Sequence, residues 1–476
     1  MIITESKVLH YFREINKIPR GSGNEKQISD WLLKFARDRN FEVVQDAVNN
    51  IIIKKPGTNG NNEPLIIQGH MDMVCEKNAD KEHDFLRDPI KLKIDGDMVY
   101  ADGTTLGADN GIAVAMALAL LDSDDIKHPP LEIFLTVDEE VGMTGAAVVD
   151  PSLFSAKRLI NLDSEEEGVF YTSCAGGCKI DMRIPTHKIP VPAEYEQYAV
   201  RVKGLIGGHS GMDIIKGGAN SNKLLARVLN ELVKHSARIN SIKGGLQMNA
   251  IPRESEAIVF IPPLKVKHIS EIIINYKNIF RNEYRITDPD ITVEFAGTDS
   301  AESTVFDETT TRKILAAILL APNGVLCMSA DIPGLVEVSN NIGVVTAGSD
   351  VVSIWHCPRS SVNSKMEDVL GQIKTLSDLL DAEFVKTAVY PSWEYRATSP
   401  LRDSLINSYE KTFGKKPELM AVHAGLECGI ISKKIPGADM ISFGPDIFMV
   451  HSPDEHFSIS SLDRTWKFLT VGLAEL

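Results

Sequence analysis

Apolar residues recur along this chain with two different periods. In Ile2–Ile15 and Gln27–Asp38 they return every three to four positions, which predicts amphipathic helices. Between Pro64 and Glu167 the pattern changes to short unbroken runs, PLIIQG, LEIFLTV and RLINL, each ending in a polar cluster. Runs of Leu, Ile, Val and Phe without alternation predict strands buried on both faces, as in a parallel sheet covered by helices. The run GIAVAMALALL, Gly111–Leu121, lies between two of them and predicts a buried helix. It is far shorter than the roughly 20 apolar residues that cross a membrane.

The signals change after about Pro185. Tyr198–Leu205 alternates as a strand and Asn222–His235 has helical spacing. A strand near Ile239, strands Glu256–Ile261 and Ile291–Ala296, and helix Ile269–Arg281 complete a β-α-β-β-α-β order, the ferredoxin-like arrangement. Similar parts follow: helix Thr309–Leu320, strands near Val325, Ile342 and Val351, helix Lys365–Asp381 and strand Phe384–Val389. This predicts a structural repeat, though no residue-level identity marks it. From about Ser392 the first pattern returns, with a capped helix in SPLRDSLINSYEKTF and a strand in ADMISFGP. The expected fold class is α/β: a mostly parallel-sheet domain in two segments, 1–186 and 391–476, interrupted by an α+β lid at 187–390 of ferredoxin-like, doubled topology.

Composition narrows the function. A net charge of −15 argues against a nucleic-acid partner, which needs a basic stripe. No basic leader precedes an apolar segment at the N-terminus, and no membrane span is expected. Six scattered cysteines form no disulfide framework and fit a reducing, cytoplasmic compartment. Cys174 and Cys178 stand four apart without a second pair, a weak pattern for structural zinc.

The ends of the apolar runs carry the chemistry. His70 and Asp72 follow the first, Asp138, Glu139 and Glu140 the second, and Asp163 with Glu165–Glu167 the third. ADMISFGP leads on to His451, and Asp109 lies in LGADNG before the apolar helix. Ligands of open α/β sheets sit beyond the carboxyl ends of strands. Imidazoles and carboxylates gathered there could hold two borderline cations sharing one carboxylate, with another carboxylate free to move a proton. Each motif has a plain reading too. His70 alone fits a satisfied core histidine, Asp72 a turn, Asp109 a helix cap, Glu139 and Glu140 solvated charge, and HSPDE an ordinary loop. What favours chemistry is that all of them fall at one edge of one predicted sheet.

The series GHMD, LGADNG, DEEVGMTGA, NLDSEE and HSPDE resembles the co-catalytic zinc peptidases that include carboxypeptidase G, peptidase T and carnosinase. HAGLECGII and the long insertion are most similar to the members that cleave Xaa-His and other dipeptides. The resemblance implies two Zn2+ ions, replaceable by Co2+ or Mn2+. It implies metal ligands His70, Asp109, Glu140, Asp163 and His451, with Asp109 bridging and followed by a cis peptide. Asp72 orients His70, and Glu139 is the general base. In GGHSG, His209 is the lid residue that stabilises the oxyanion. Asn249 in QMNAIPRE and Arg359 in CPRSS bind substrate, Arg359 through a carboxylate. Glu427 in HAGLECG lies near the substrate amine. The partner is then a dipeptide. A homodimer is expected as the commonest assembly, although a doubled lid would supply the lid residue within one chain. Two alternatives stay open: an aminoacylase acting on N-acyl amino acids, and a non-catalytic ligand-binding member that keeps its metal.

Overall fold

The computed structural model describes residues 6–298 and 302–476. The opening of the expected Ile2–Ile15 helix therefore lies partly outside the described residues; the described helix is Lys7–Ile15, capped by the Ser6 hydroxyl. The chain divides into two compact units. One comprises residues 1–173, 395–421 and 426–476, and the other 174–394 and 422–425.

The first unit is built on an eight-stranded mixed sheet. Its centre is parallel: Leu131–Thr136, Leu65–His70, Arg158–Asn161 and Asp439–Ser442 lie side by side in that order. Antiparallel neighbours flank this centre, with Ile51–Lys55 on one side and Val169–Cys174 on the other. Every residue of Leu65–His70 and Leu131–Thr136 is buried, as unbroken apolar runs require. Because the four central strands run the same way, all their carboxyl ends open on one edge of the sheet. Helix Ala108–Leu121 is buried on all sides except at Asp109 and packs its Ala, Val, Leu and Met side chains into the core.

The second unit carries an eleven-stranded sheet. One half has the order Thr292–Gly297, Glu196–Lys203, Ser255–Ile261, Arg238–Gly244. The other has Ile342–Ala347, Val351–His356, Gly176–Pro185, Glu383–Tyr390. Each half is a β-α-β-β-α-β set with its fourth strand beside its first, and the halves join where Arg238–Gly244 meets Ile342–Ala347. The repeats are nested, however, not tandem. Gly176–Pro185, the first strand of the outer repeat, precedes the whole inner repeat. This strand falls before the boundary at residue 187 expected from sequence, and it pairs within the second unit, so the units divide at residues 173 and 174.

Candidate metal centre

At the carboxyl edge of the first unit's sheet, two imidazoles face one shared carboxylate. His70 ends its strand wholly buried, with Nε2 3.0 Å from Asp109 Oδ1 and 3.4 Å from Asp163 Oδ1. His451 Nε2 lies 3.2 Å from the other Asp109 oxygen, Oδ2, and 3.0 Å from Glu140 Oε2. His70, Asp109 and Glu140 each offer a ligand atom within 4.8 Å of the others'. Glu139 Oε2 is 4.0 Å from His70 Nε2, next to the cluster. His451 holds a left-handed backbone, φ 61°, which a non-glycine residue keeps only when its surroundings impose it.

The electrostatics follow from crowding. At His70 burial is the largest influence and opposes charge, but Asp163, Asp109 and Asp72 together carry the imidazole well above its ordinary range. Bonding to Asp109 and Glu140 pushes His451 up to about 11. Burial raises Asp163 to about 6, although His70 pulls it down. Burial also raises Glu139 well above the usual carboxyl value, with Asp163, Glu427 and Asp109 adding to the rise. Two histidines thus face a surplus of buried carboxylates.

A second layer fixes these groups. Asp72, fully buried, places Oδ1 3.3 Å from His70 Nδ1 and accepts the Glu139 N–H at 3.1 Å. Its Oδ2 accepts the Ser22 hydroxyl at 2.8 Å and the Glu140 N–H at 3.3 Å. Asn110 accepts the His70 N–H at 3.2 Å and donates to the Leu162 carbonyl at 2.8 Å, tying three motifs together. The Asp109–Asn110 peptide bond is cis. Glu455 lies four residues after His451. Its carboxylate accepts four main-chain N–H groups: Leu106 at 2.8 Å, Gly107 at 3.0 Å, Ala108 at 2.7 Å and Asp109 at 3.3 Å. On the opposite side of that turn, buried Arg20 donates to the Gly107 carbonyl at 2.6 Å and to the Met71 carbonyl at 3.2 Å. Gly107, at φ 67°, has no room for a side chain: a Cβ there would stand 2.5 Å from Arg20 Nη2.

Glu427, expected near the substrate amine, is completely buried. One oxygen accepts Gln68 Nε2 and, at 2.7 Å, the Thr136 hydroxyl, both from within the sheet. Its other oxygen, Oε1, is buried with no hydrogen-bond partner among the described residues, and burial raises its carboxyl to about 7. Cys174 and Cys178 are buried and in no disulfide, and among the described residues no metal-competent group contains them.

His209, Asn249 and Arg359 belong to the second unit. His209 Nδ1 accepts the Met212 N–H at 3.1 Å and the Gly211 N–H at 3.3 Å, so the neutral ring carries its proton on Nε2. Burial and the nearby Arg359 charge both hold it below its ordinary value. The Asn249 carbonyl accepts the Ser210 N–H at 2.8 Å, and its side chain is exposed. Arg359 is buried, donates to the Tyr390 hydroxyl at 2.7 Å, and has no ion-pair partner among the described residues. Gly211 allows this gathering: a Cβ on it would stand 3.1 Å from His209 Cε1, 3.3 Å from Arg359 Cζ and 2.5 Å from the His423 carbonyl. His423, which the sequence reading passed over, bonds the Ser339 hydroxyl at 2.7 Å; burial, with Arg359 nearby, lowers it to about 3. Glu455, Arg20 and Asn110 likewise have no role assigned from sequence. Only Glu455 carried a signal, as the acid four places after a candidate ligand.

Residues 66–473 match the family described as peptidase family M20/M25/M40. The chain is 39% identical to the cytosol non-specific dipeptidase of Escherichia coli (strain K12) over 98% of its own length and 96% of that protein's. It is similar to the crystal structure of aminoacylhistidine dipeptidase from Vibrio alginolyticus, with a TM-score of 0.94 and 37% identity, covering 99% of this chain and 97% of that one. A tripeptidase structure from Staphylococcus aureus, 16% identical with a TM-score of 0.59 over 100% of this chain and 99% of that one, shares the fold.

Proposed function

The chain belongs to peptidase family M20/M25/M40, and on that premise we propose that it is a metal-dependent dipeptidase with two zinc ions, acting on Xaa-His and other dipeptides. The observation that carries the reading is the pair of nests sharing Asp109. A single histidine N–H cannot serve several carboxylate oxygens at once, yet His451 Nε2 faces Asp109 Oδ2 and both Glu140 oxygens at 3.0–3.2 Å. Such convergence suits a cation, and the uncompensated carboxylates around it call for positive charge. His70 and Asp163 would hold one ion, Glu140 and His451 the other, with Asp109 between them. When bound, the ions supply Lewis acidity and a water ionised near neutral pH.

The remaining work falls to side chains. Glu139, raised by burial, takes the water's proton and delivers it to the leaving amine. Asp72 holds the tautomer and direction of His70. His209, with its proton on Nε2, is suited to donate to the developing oxyanion. Arg359, buried with no carboxylate partner among the described residues, is suited to take the substrate carboxylate through paired hydrogen bonds. Asn249 contributes a further polar contact to the substrate. The six cysteines, none of them in a disulfide, and the cytosol-named relative support a cytoplasmic setting.

The test is hydrolysis of β-Ala-His, Gly-His, Leu-Gly, a tripeptide and N-acetyl-leucine by metal-replete protein, with and without chelator. Chelator-sensitive cleavage of the dipeptides alone is expected. Turnover of N-acetyl-leucine in their place would reassign the chain to the aminoacylases, and two bound metals without turnover would make it a binding protein.

A further inference from the structure

The turn Leu106–Asp109 is held from both sides by buried, oppositely charged residues. Glu455, 2% exposed, accepts all four of its N–H groups, while Arg20, also 2% exposed, binds the Gly107 carbonyl. These N–H groups open helix Ala108–Leu121, whose first turn has no acceptors of its own. A carboxylate in that place satisfies the orphan donors and complements the positive helix end. Capping alone would need no particular partner. Here the capping carboxylate stands four residues beyond His451 and grips the N–H of Asp109 itself.

We infer that Glu455 is a positioning residue that locks the His451 loop to the Asp109 turn, so that both reach the second ion as one preformed unit. The inference rests on the two-ion reading of the centre. His451 needs such a tether, because it is half exposed and sits in a left-handed backbone conformation. Without it, binding the ion would have to order two separate loops.

The side chain's chemistry specifies the variants. A carboxylate offers two oxygens, each here accepting two N–H groups. In Glu455→Gln one oxygen becomes an NH2 that faces two donors, so two bonds are lost and donors oppose each other. Metal-free full-length protein is titrated with Zn2+ by calorimetry and with Co2+ by visible absorption, alongside thermal melting without metal. The expected result is a second equivalent bound about 10–100-fold more weakly, the range for outer residues that orient ligands. The first equivalent should change less, and the Co2+ spectrum of the second equivalent should alter. Two equivalents bound with wild-type affinity and spectrum, whatever happens to the melting temperature, would overturn the inference and leave Glu455 as a helix cap. If Glu455→Gln does not fold, Glu455→Asp, one methylene short of the N–H groups, replaces it. A second equivalent about tenfold weaker is then expected, and wild-type affinity overturns the inference. Wild-type protein that binds no ion overturns the metal reading itself and the tether with it; wild type with two ions and an unchanged variant overturns the tether alone.

Discussion

Asp72→Asn offers a sharp test of how the centre is organised, because this one carboxylate meets four partners. The amide can sit two ways. With NH2 at the Oδ1 position it opposes the Glu139 N–H and loses His70. With NH2 at the Oδ2 position the Ser22 hydroxyl can rotate to accept, His70 and the Glu139 N–H keep their oxygen, and only the Glu140 N–H is left without a partner. The second arrangement wins. Its cost is one buried unpaired N–H, about 1–3 kcal/mol, plus the lost charge assistance on two surviving bonds, about 1 kcal/mol together. A total near 3 kcal/mol corresponds to about 100-fold in metal affinity or in kcat/KM. Dipeptide kinetics and metal titration measure the two separately. Both should fall, since the same carboxylate orients a ligand and the main chain carrying Glu139 and Glu140. If Asp72→Asn binds metal and turns over within about threefold of wild type, the ascribed role is wrong.

Other substitutions separate the remaining roles. Glu139→Gln should keep both metals while kcat falls about 10²–10⁴-fold, read by metal analysis beside single-turnover kinetics. Arg359→Ala should raise KM for dipeptides by at least about tenfold, with less effect on substrates whose C-terminus is amidated, because one charge-assisted pair is lost. Glu427 gives a signed pH effect. Burial holds its carboxyl up at about 7 against an ordinary value of 4.5, so the folded state binds more protons between those values and loses stability as pH rises through that window. In metal-free protein Glu427→Gln should remove about 3 kcal/mol of that pH dependence, visible as a flatter melting temperature between about pH 5 and 8. An unchanged pH profile would mean that Glu427 ionises freely.

The sequence was legible where short-range pattern carried the signal. LIIQGH, LEIFLT and RLIN read as buried strands because they lack alternation, and the acids and histidines after them fell at one edge because the strands are parallel. The five proposed ligands sit next to those runs or in turns beside them. Strand Gly176–Pro185 was missed although its local pattern is clean, with Cys178, Ile180, Met182 and Ile184 alternating with Lys179, Asp181 and Arg183. What the sequence does not mark is its place in the sheet, because its partners come from residues 351–356, 359–360 and 383–390. Glu427 was expected near the substrate amine, and nothing local marks a carboxyl taken into the core by Gln68 and Thr136. The Glu455 contacts span more than 340 positions of sequence, and their one local trace is an acid four residues after His451.

The nested repeats bear on how the chain reaches this structure. Strand Gly176–Pro185 cannot find Val351–His356 until more than a hundred intervening residues have been placed. Closing a loop that long as an open coil is entropically costly and slow. The intervening segment, however, contains a repeat with its own four-strand sheet half and helices. If that repeat forms first, it draws Pro185 and the strands after it together and turns a long closure into a short one. The order of folding would then run from the inside outward, with the strand made earliest among the last to pair.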